Sequence, residues 1–235
     1  LQGINPNGEL WSRECKIFGK STEGKGQIIF EIASIISHQK GYYVGIFDDD
    51  VLIRVSDINR ALMIGKKKSF ASFQPSLCAS SYFSHPFTLN RHKRVVLPML
   101  HKYRYVPWVE IMMPIIKSEL LISSIPFLRN NISAYGLDCF VFPMLSIIYE
   151  ISGGHAVIDA SICTHLRKMR TGERVFSNGM DATREFEIVK KDCLDFLLNR
   201  GINWKKSKKL RVIFKDKNDK DNFPNLLKRK LIKNI

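Results

Sequence analysis

The sequence predicts an α/β fold in which a mixed, mainly parallel sheet is flanked by helices, and two observations support this prediction. Apolar, β-branched and aromatic runs alternate with helix-spaced segments, as in the succession of residues 42–53, 56–65 and 70–77. In addition, residues 42–53 read Tyr-Tyr-Val-Gly-Ile-Phe-Asp-Asp-Asp-Val-Leu-Ile, so that a strand-like run ends in three carboxylates. Because open α/β sheets bind ligands just beyond the carboxyl ends of their strands, the acids lie where such a fold predicts a site.

The length and composition are those of a globular protein. With 235 residues the chain can bury a substantial core, and we predict one domain over residues 1–200 followed by a basic tail over 201–235. A hydrophobic content of 45% and an aromatic content of 11% exclude a disordered chain. The longest apolar stretch, residues 139–148, has about half the length that a membrane-spanning helix needs.

The cysteines indicate a reducing compartment. They are odd in number and scattered, without C-x-x-C spacing: Cys15, Cys78, Cys139, Cys163 and Cys193. This pattern argues against both a zinc site and a disulfide framework, and we therefore expect a cytoplasmic protein.

The net charge of +15 is unevenly distributed along the chain. Residues 190–235 hold fifteen Lys or Arg against five Asp, which is two-thirds of the whole excess. Such a tail suits peripheral contact with an anionic surface such as the inner membrane, an anionic polymer or a nucleic acid, and a solvated tail without a partner is the alternative. Of these partners a nucleic acid is the least expected. The chain's other basic stretch, residues 91–105, lacks both a DNA-reading helix pattern and the aromatic pattern of an RNA-binding sheet.

The remaining elements follow the same alternation of strands and helices. Glycine-rich residues 1–27 are interpreted as loops, and Gly24-Lys25-Gly26 is too short for a phosphate-binding loop. Gly65 is the predicted end of the helix that Ser56 and Asp57 begin. The other predicted elements are a helix over 28–38, a strand and then a helix over 108–121, an apolar run over 139–151, a strand over 156–159 and a helix over 183–198.

The cluster Asp48, Asp49 and Asp50 has two interpretations from the residues alone. Like charges a few ångströms apart raise one another's pKa, and a bound divalent cation such as Mg²⁺ or Mn²⁺ removes that penalty. The alternative is an acidic turn that caps the following helix, with Asp57 contributing further along the chain.

Three further residues are candidates for chemistry. Glu110 is the only charge between Val106 and Ile116, so its carboxylate is either paired or directed into a pocket. Asp138 starts an apolar run and either caps a helix or serves a site. His165 follows a short strand and is either a hydrogen-bonded structural residue or a ligand.

Five motifs occur in an order that resembles a known family. They are the acidic run 42–51, Phe-Gln-Pro-Ser-Leu at 73–77, Trp-Val-Glu-Ile-Met-Met-Pro at 108–114, Tyr-Gly-Leu-Asp at 135–138, and Val-Ile-Asp at 157–159 with His165. Together they resemble the series W-D-E-D-L, S-Q-P-A-L, F-V-E-G-M-A-P, G-W-G-L-D and V-V-D-x-x-x-V-x-H of uncharacterised glycosyltransferase-like proteins known from plants and bacteria, whose expected fold is GT-A. The resemblance covers roughly residues 40–170.

The resemblance implies a metal site and a donor site. Asp48 and Asp50 match the outer acids of the acidic signature, and His165 matches the late histidine that completes the metal site in many such transferases. The expected cofactor is a divalent cation, Mn²⁺ or Mg²⁺, and the expected donor is a nucleotide-sugar. Asp48 and Asp49 are the implied donor-binding residues.

The resemblance also implies an acceptor side. Asp138 matches the aspartate of the G-L-D motif, where such enzymes place an acceptor-side carboxylate that is often the base. Glu110 and Trp108 match the segment implied to bind a saccharide or glycan acceptor. Phe47 replaces the family Trp and keeps an aromatic ring, whereas Ile111 replaces the Gly after the glutamate and is expected to narrow the acceptor cleft.

The sequence thus predicts a metal-dependent glycosyltransferase with a GT-A-like fold. Because residue 1 is Leu and only 47 residues precede Asp48, we expect part of the nucleotide-binding half to be missing. Two alternatives remain open, namely a transferase-like scaffold without turnover and a basic module that binds an anionic polymer or nucleic acid through Lys205 to Lys233.

Overall fold

The structure, a computed structural model, describes residues 23–38, 40–91, 102–168 and 174–214. It is a mixed α/β structure with six strands. Their bounds are β1 Tyr43–Gly45, β2 Val51–Ile53, β3 Ser72–Leu77, β4 Arg104–Val106, β5 Ile115–Lys117 and β6 His155–His165.

Seven α-helices accompany the sheet within the described residues: α1 Lys25–Ile35, α2 Val55–Lys68, α3 Ser118–Ser123, α4 Ile125–Leu128, α5 Phe142–Ile148, α6 Ala182–Asn199 and α7 Lys208–Phe214. A 3₁₀ turn spans Pro86–Thr88, and a π-helical segment, Leu137–Val141, leads into α5. None of the helices in the described residues combines the length and the apolar character that a membrane crossing requires.

The strand order is β1-β5-β3-β6-β2, and β4 also pairs with β6. Of these pairings β3–β6 is parallel, whereas β1–β5, β3–β5, β2–β6 and β4–β6 are antiparallel. The predicted α/β class and mixed sheet are confirmed, but the prediction that parallel pairing predominates is wrong for the described strands. None of the antiparallel pairs joins two consecutive strands, so their directions depend on long-range pairing that apolar periodicity along the chain does not reveal.

Helices cover both faces of the sheet. Ile115 and Ile116 are neighbours on β5, and neighbouring side chains on a strand point to opposite faces. Ile116 joins the larger core, which contains residues of α1, α3, α5, α6 and α7, whereas Ile115 joins a smaller core with Ala61 of α2 and Phe73 of β3. The predicted flanking of the sheet by helices is therefore confirmed.

The predicted strand that ends at the three aspartates is β1, and a second short strand, β2, follows them. The turn is closed by a hydrogen bond of 3.2 Å from the Val51 N–H to the carbonyl oxygen of Asp48. β1 lies at one end of the strand order and pairs with β5, whereas β2 lies at the other end and pairs with β6. The acidic residues therefore lie on the turn that carries the chain from one pairing to the other.

The packed unit extends beyond residue 200, where the predicted domain ends. Leu210 and Phe214 of α7 are buried in the larger core, and Trp204 packs against it. The first part of the predicted basic tail is thus folded onto the domain, because its apolar residues recur at helical spacing. Residues 215–235 of that tail lie outside the described residues.

Gly65 has a packing role rather than the predicted role of ending a helix. α2 continues to Lys68, and Ser69 provides the left-handed residue that ends it. A Cβ atom on Gly65 would lie under 3.0 Å from the ring of Phe73, which is fully buried on β3. Glycine is therefore required at this position because the helix and the strand approach so closely.

We predict that Gly65→Ala destabilises the protein, although alanine is normally the better helix former. The added methyl group overpacks the contact with Phe73, and we expect a cost of about 1–3 kcal/mol in the free energy of unfolding. Asn59→Ala, at an exposed position of the same helix, is the matched control and should be neutral or slightly stabilising. Urea unfolding measures both variants, and equal stability of Gly65→Ala and the wild type would contradict the packing role.

Candidate functional site

The segment 110–114 is the place where several of the sequence motifs meet. The backbone N–H of Glu110 donates a hydrogen bond of 2.7 Å to the side-chain oxygen of Gln74, a fully buried residue of β3. The backbone N–H of Ile111 donates to a carboxylate oxygen of Asp138 at 3.3 Å. Three motifs that are far apart in the sequence are therefore joined by side-chain to backbone hydrogen bonds.

The acidic turn is attached to the same segment and to the end of β6. The Asp48 N–H donates to the carbonyl oxygen of Met112 at 3.0 Å, and the Leu166 N–H donates to the carbonyl oxygen of Asp50 at 3.0 Å. The pairing of β2 with β6 places Val51 opposite His165. The turn is thus held between residues 110–114 and the last residues of β6.

Lys25 lies among these acids, although its sequence context, Gly24-Lys25-Gly26, gives no sign of this. Its Nζ is 2.5 Å from Oδ1 of Asp48, and it also donates to the carbonyl oxygens of Ile111 and, at 3.2 Å, Met112. Burial lowers the pKa of Lys25, while the negative charges of the neighbouring aspartates act against that lowering. The ammonium group has three oxygen partners, and each of its protons can therefore be donated to protein atoms.

Two glycines place Lys25 at this position. A Cβ atom on Gly24 or Gly26 would lie under 3.0 Å from the backbone carbonyl oxygen of Ile132 or Asn131, respectively. The N–H of Gly26 donates a hydrogen bond of 2.8 Å to the carbonyl oxygen of Ile132. The predicted loop Gly24-Lys25-Gly26 is therefore the start of α1, where the chain approaches another backbone as closely as only glycine allows.

Asp50 and His165, two of the three predicted metal ligands, are in contact. Nδ1 of His165 lies 3.1 Å from the carbonyl oxygen of Tyr82, and because a carbonyl only accepts, Nδ1 carries a proton. Nε2 lies 3.3 Å from Oδ1 of Asp50. That oxygen is buried and has no hydrogen-bond partner among the described residues. Nε2 of His165 and Oδ1 of Asp50 therefore face each other, and either a proton on Nε2 or a cation bound to both atoms could join them.

The pair fits a divalent cation in its atom types and its spacing. Carboxylate oxygen and imidazole nitrogen are both common ligands, and bonds of about 2.1 Å place adjacent ligands about 3 Å apart. Asp48 makes a different contact, since its Oδ1 is bound to Lys25. Across the described ranges no group of three or more His, Cys, Asp or Glu is arranged to hold a metal ion. The structure brings together two of the three predicted ligands.

Asp49 lies on the surface beside its two neighbours. Its side chain is 83% exposed and lies 3.6 Å from the guanidinium of Arg167, which is also largely exposed. Ion pairs at such exposure contribute little to stability. Asp49 is therefore available to solvent and ligands, and its predicted role in donor binding stays a prediction.

Glu110 is a buried carboxyl group with an incomplete set of partners. Burial, and after it the negative charge of Asp138, raise the pKa of Glu110 to about 8, against the opposing effect of a hydrogen bond from the Ser84 backbone. Oε2 has no hydrogen-bond partner among the described residues, while Oε1 is 4.0 Å from Nε2 of His85. The carboxyl group thus keeps its proton near neutral pH.

Asp138 is not the N-cap of a helix. That position belongs to Gly136, which has a φ of +84° and precedes the π-helical segment. One oxygen of Asp138 accepts from the N–H of Cys139 at 2.8 Å and the other from Ile111. Burial raises the pKa of Asp138, and these backbone hydrogen bonds act in the opposite direction. Its carboxyl group therefore lies within the same network as Glu110.

Trp108 belongs to an aromatic group beside Glu110. The ring of His85 stacks on Phe87 with centroids 5.4 Å apart, and Trp108 meets both edge-on at 5.5 and 5.2 Å. Aromatic rings beside a polar group are a frequent feature of binding sites for small molecules. The predicted acceptor residues Trp108 and Glu110 are therefore neighbours of His85, a residue that belongs to none of the sequence motifs.

Cys78 is a second group without a sequence signal. Its sulfur lies 3.1 Å from the hydroxyl of Ser80 and 3.2 Å from those of Ser81 and Thr164. Burial acts to raise the pKa of Cys78, but the hydrogen bonds from these hydroxyls outweigh it and lower the pKa to about 7. Ser81 also accepts from the backbone N–H of His165, so the thiol adjoins the end of β6.

Comparisons with protein-family models, with curated proteins and with solved structures found no match to this chain. The family resemblance of the sequence motifs therefore stays a prediction, and so does the GT-A fold.

We predict that Glu110→Gln changes the pH dependence of stability. In the unfolded wild-type chain Glu110 loses its proton near the ordinary pKa of 4.5, whereas in the folded protein it keeps the proton up to about pH 8. The free energy of unfolding of the wild type therefore falls as the pH rises between these two values. Glutamine cannot ionise, so the variant lacks this loss. Its free energy of unfolding, relative to that of the wild type, should rise by roughly 2–4 kcal/mol between about pH 5 and pH 8.5.

Urea unfolding across that range measures this gain. Glu187→Gln, at an exposed position of α6, is the control and should follow the wild-type curve. Parallel curves for Glu110→Gln and the wild type would contradict the buried, protonated state of Glu110.

We also predict that Cys78 is the most reactive thiol among the described cysteines. Burial raises the pKa of Cys139, Cys163 and Cys193, so these thiols hold little thiolate at pH 7. Iodoacetamide followed by peptide mass spectrometry should label Cys78 roughly tenfold faster or more, and Thr164→Val should slow that labelling. Equal rates for Cys78 and the three other cysteines would show that the hydroxyls do not stabilise its thiolate.

Proposed function

We propose that the protein is a metal-dependent glycosyltransferase that moves a sugar from a nucleotide-sugar donor to a saccharide or glycan acceptor. One observation supports the proposal above the others. Residues from all five motifs of the resemblance are neighbours, because Gln74, Asp138 and the acidic turn are each bonded to residues 110–114, and His165 adjoins Asp50.

The acidic side of the site would hold the donor. Asp50 and His165 are the residues that would hold Mn²⁺ or Mg²⁺, and such a cation would neutralise the charge of a nucleotide diphosphate leaving group. Asp48 and the exposed Asp49 adjoin this pair on the same turn and are the proposed donor-binding residues. The three adjacent aspartates of this turn repel one another, and a bound cation would lower that repulsion.

The other side of the site would hold the acceptor. Trp108 offers an aromatic surface, and Glu110 offers a protonated carboxyl with one unpartnered oxygen to a sugar hydroxyl. Asp138 is the proposed acceptor of the hydroxyl proton, because its carboxyl lies beside Glu110 and keeps lone pairs beyond its two backbone hydrogen bonds.

A second candidate function is a module that binds an anionic polymer or membrane surface. It is favoured by the exposed basic residues that follow α6: Lys205, Lys206, Lys208, Lys209 and Arg211. Salt-sensitive binding to polyphosphate or anionic vesicles, indifferent to metal and lost on charge reversal of these residues, would favour this function over the first.

We predict that Asp50→Ala abolishes turnover of a nucleotide-sugar without unfolding the protein. The assay screens UDP- and GDP-sugars for release of the nucleotide diphosphate in the presence of Mn²⁺. We expect a loss of roughly a hundredfold or more, because the proposed cation loses its carboxylate ligand. Asp195→Asn, which removes an exposed carboxylate of α6, is the matched control.

The thermal unfolding midpoint of Asp50→Ala establishes that the variant is folded. Metal-dependent release at the wild-type rate by a folded Asp50→Ala would rule out the metal role. Absence of release from every nucleotide-sugar by the wild type, together with unchanged thermal stability on adding Mn²⁺ and UDP or GDP, would rule out the proposed function.

A further inference from the structure

The ammonium group of Lys25 has the surroundings of a bound cation. Its three partners are the carboxylate of Asp48 and the carbonyl oxygens of Ile111 and Met112. Carboxylates and backbone carbonyls are also the ligands that hard divalent cations take in proteins. Lys25 thus supplies, from within the chain, the positive charge that the acidic turn requires.

Exposure distinguishes the two members of this pair. The side chain of Lys25 is 16% exposed, whereas that of Asp48 is 36% exposed and remains accessible to ions in solution. The ammonium is carried on four flexible carbons, and it can therefore leave while α1 stays in place. Its departure would not strip Met112 of partners, because the Asp48 N–H also donates to that carbonyl oxygen.

We propose that Lys25 is a resident counter-ion at Asp48, so that a divalent cation held by Asp50 and His165 competes with the lysine when it takes Asp48 as a third ligand. Asp48 and Asp50 then have different roles, although they are two residues apart in one acidic turn. The inference rests on the proposed function only in assuming that this turn meets a divalent cation. It makes Lys25 a residue that sets the affinity for the cation.

The test measures binding of Mn²⁺ alone, from the electron paramagnetic resonance signal of the free ion, to the full chain without any substrate. Lys25→Met should tighten Mn²⁺ binding by roughly tenfold or more, because Asp48 is released to the ion. Asp48→Asn should cost roughly threefold or less in the wild type but tenfold or more in the Lys25→Met background. The larger cost of Asp48→Asn in the Lys25→Met background would show that Lys25 and the cation compete for Asp48.

Two further variants separate the inference from simpler effects. Arg167→Met also removes a positive charge next to the acidic turn but leaves the Lys25–Asp48 contact intact, so it should change Mn²⁺ affinity by less than about threefold. Lys25→Gln keeps a donor for the two carbonyl oxygens without the charge, and it should tighten binding as Lys25→Met does. It serves as the folded substitute if Lys25→Met is unstable.

Several results would overturn the inference. One is a loss of Mn²⁺ affinity in both Lys25→Met and Lys25→Gln, and another is an equal cost of Asp48→Asn in the wild-type and Lys25→Met backgrounds. Absence of Mn²⁺ binding in the wild type and in both lysine variants would also overturn it. Because the measurement uses no nucleotide-sugar, failure to find transfer activity would contradict the proposed function and leave this inference standing.

Discussion

The hydrogen bonds of residues 110–114 are the constraint on which the rest of the site depends. The buried amide of Gln74 fixes this segment from the sheet, and Asp138 fixes it from the π-helical segment. Asp48 and Lys25 both bond to its carbonyl oxygens. A segment without regular secondary structure is held in one conformation because polar groups from four other parts of the chain satisfy its backbone.

Charge within the site is balanced locally rather than by the excess of basic residues elsewhere in the chain. Buried carboxylates without partners would cost several kcal/mol each, and two devices reduce this cost. Glu110 stays protonated because burial raises its pKa to about 8, and Lys25 pairs with Asp48. Of the two remaining acids of the turn, Asp49 faces solvent and Asp50 faces the imidazole of His165, so both are placed to meet a cation.

The sequence predicted the parts of this structure that depend on local patterns. The α/β class, the helices near residues 28–38 and 183–198, and the strands around 70–77 and 156–159 follow from apolar periodicity and turn residues. The strand directions were not predictable, because periodicity within a strand says nothing about its partner.

The order of the motifs indicated Asp50 and His165, which the structure brings together. Lys25 was missed because its relation to Asp48 is purely tertiary: the flanking glycines matter only through contacts with residues 131–132. Gly65 was misassigned for the same reason, since nothing near it in sequence reveals the ring of Phe73. Asp49, in contrast, lies on the surface as expected of an acid in an exposed turn.

The pairing of β2 with β6 has a consequence for how this chain can vary. Val51 lies opposite His165, and the carbonyl oxygen of Asp50 accepts from the N–H of Leu166, so the Asp50–His165 contact is set by strand register. A slip of one residue between these strands would turn Asp50 to the opposite face. Substitutions in β2 are therefore compatible with an intact site, whereas an insertion or deletion of one residue between Asp50 and Ile53 separates the pair.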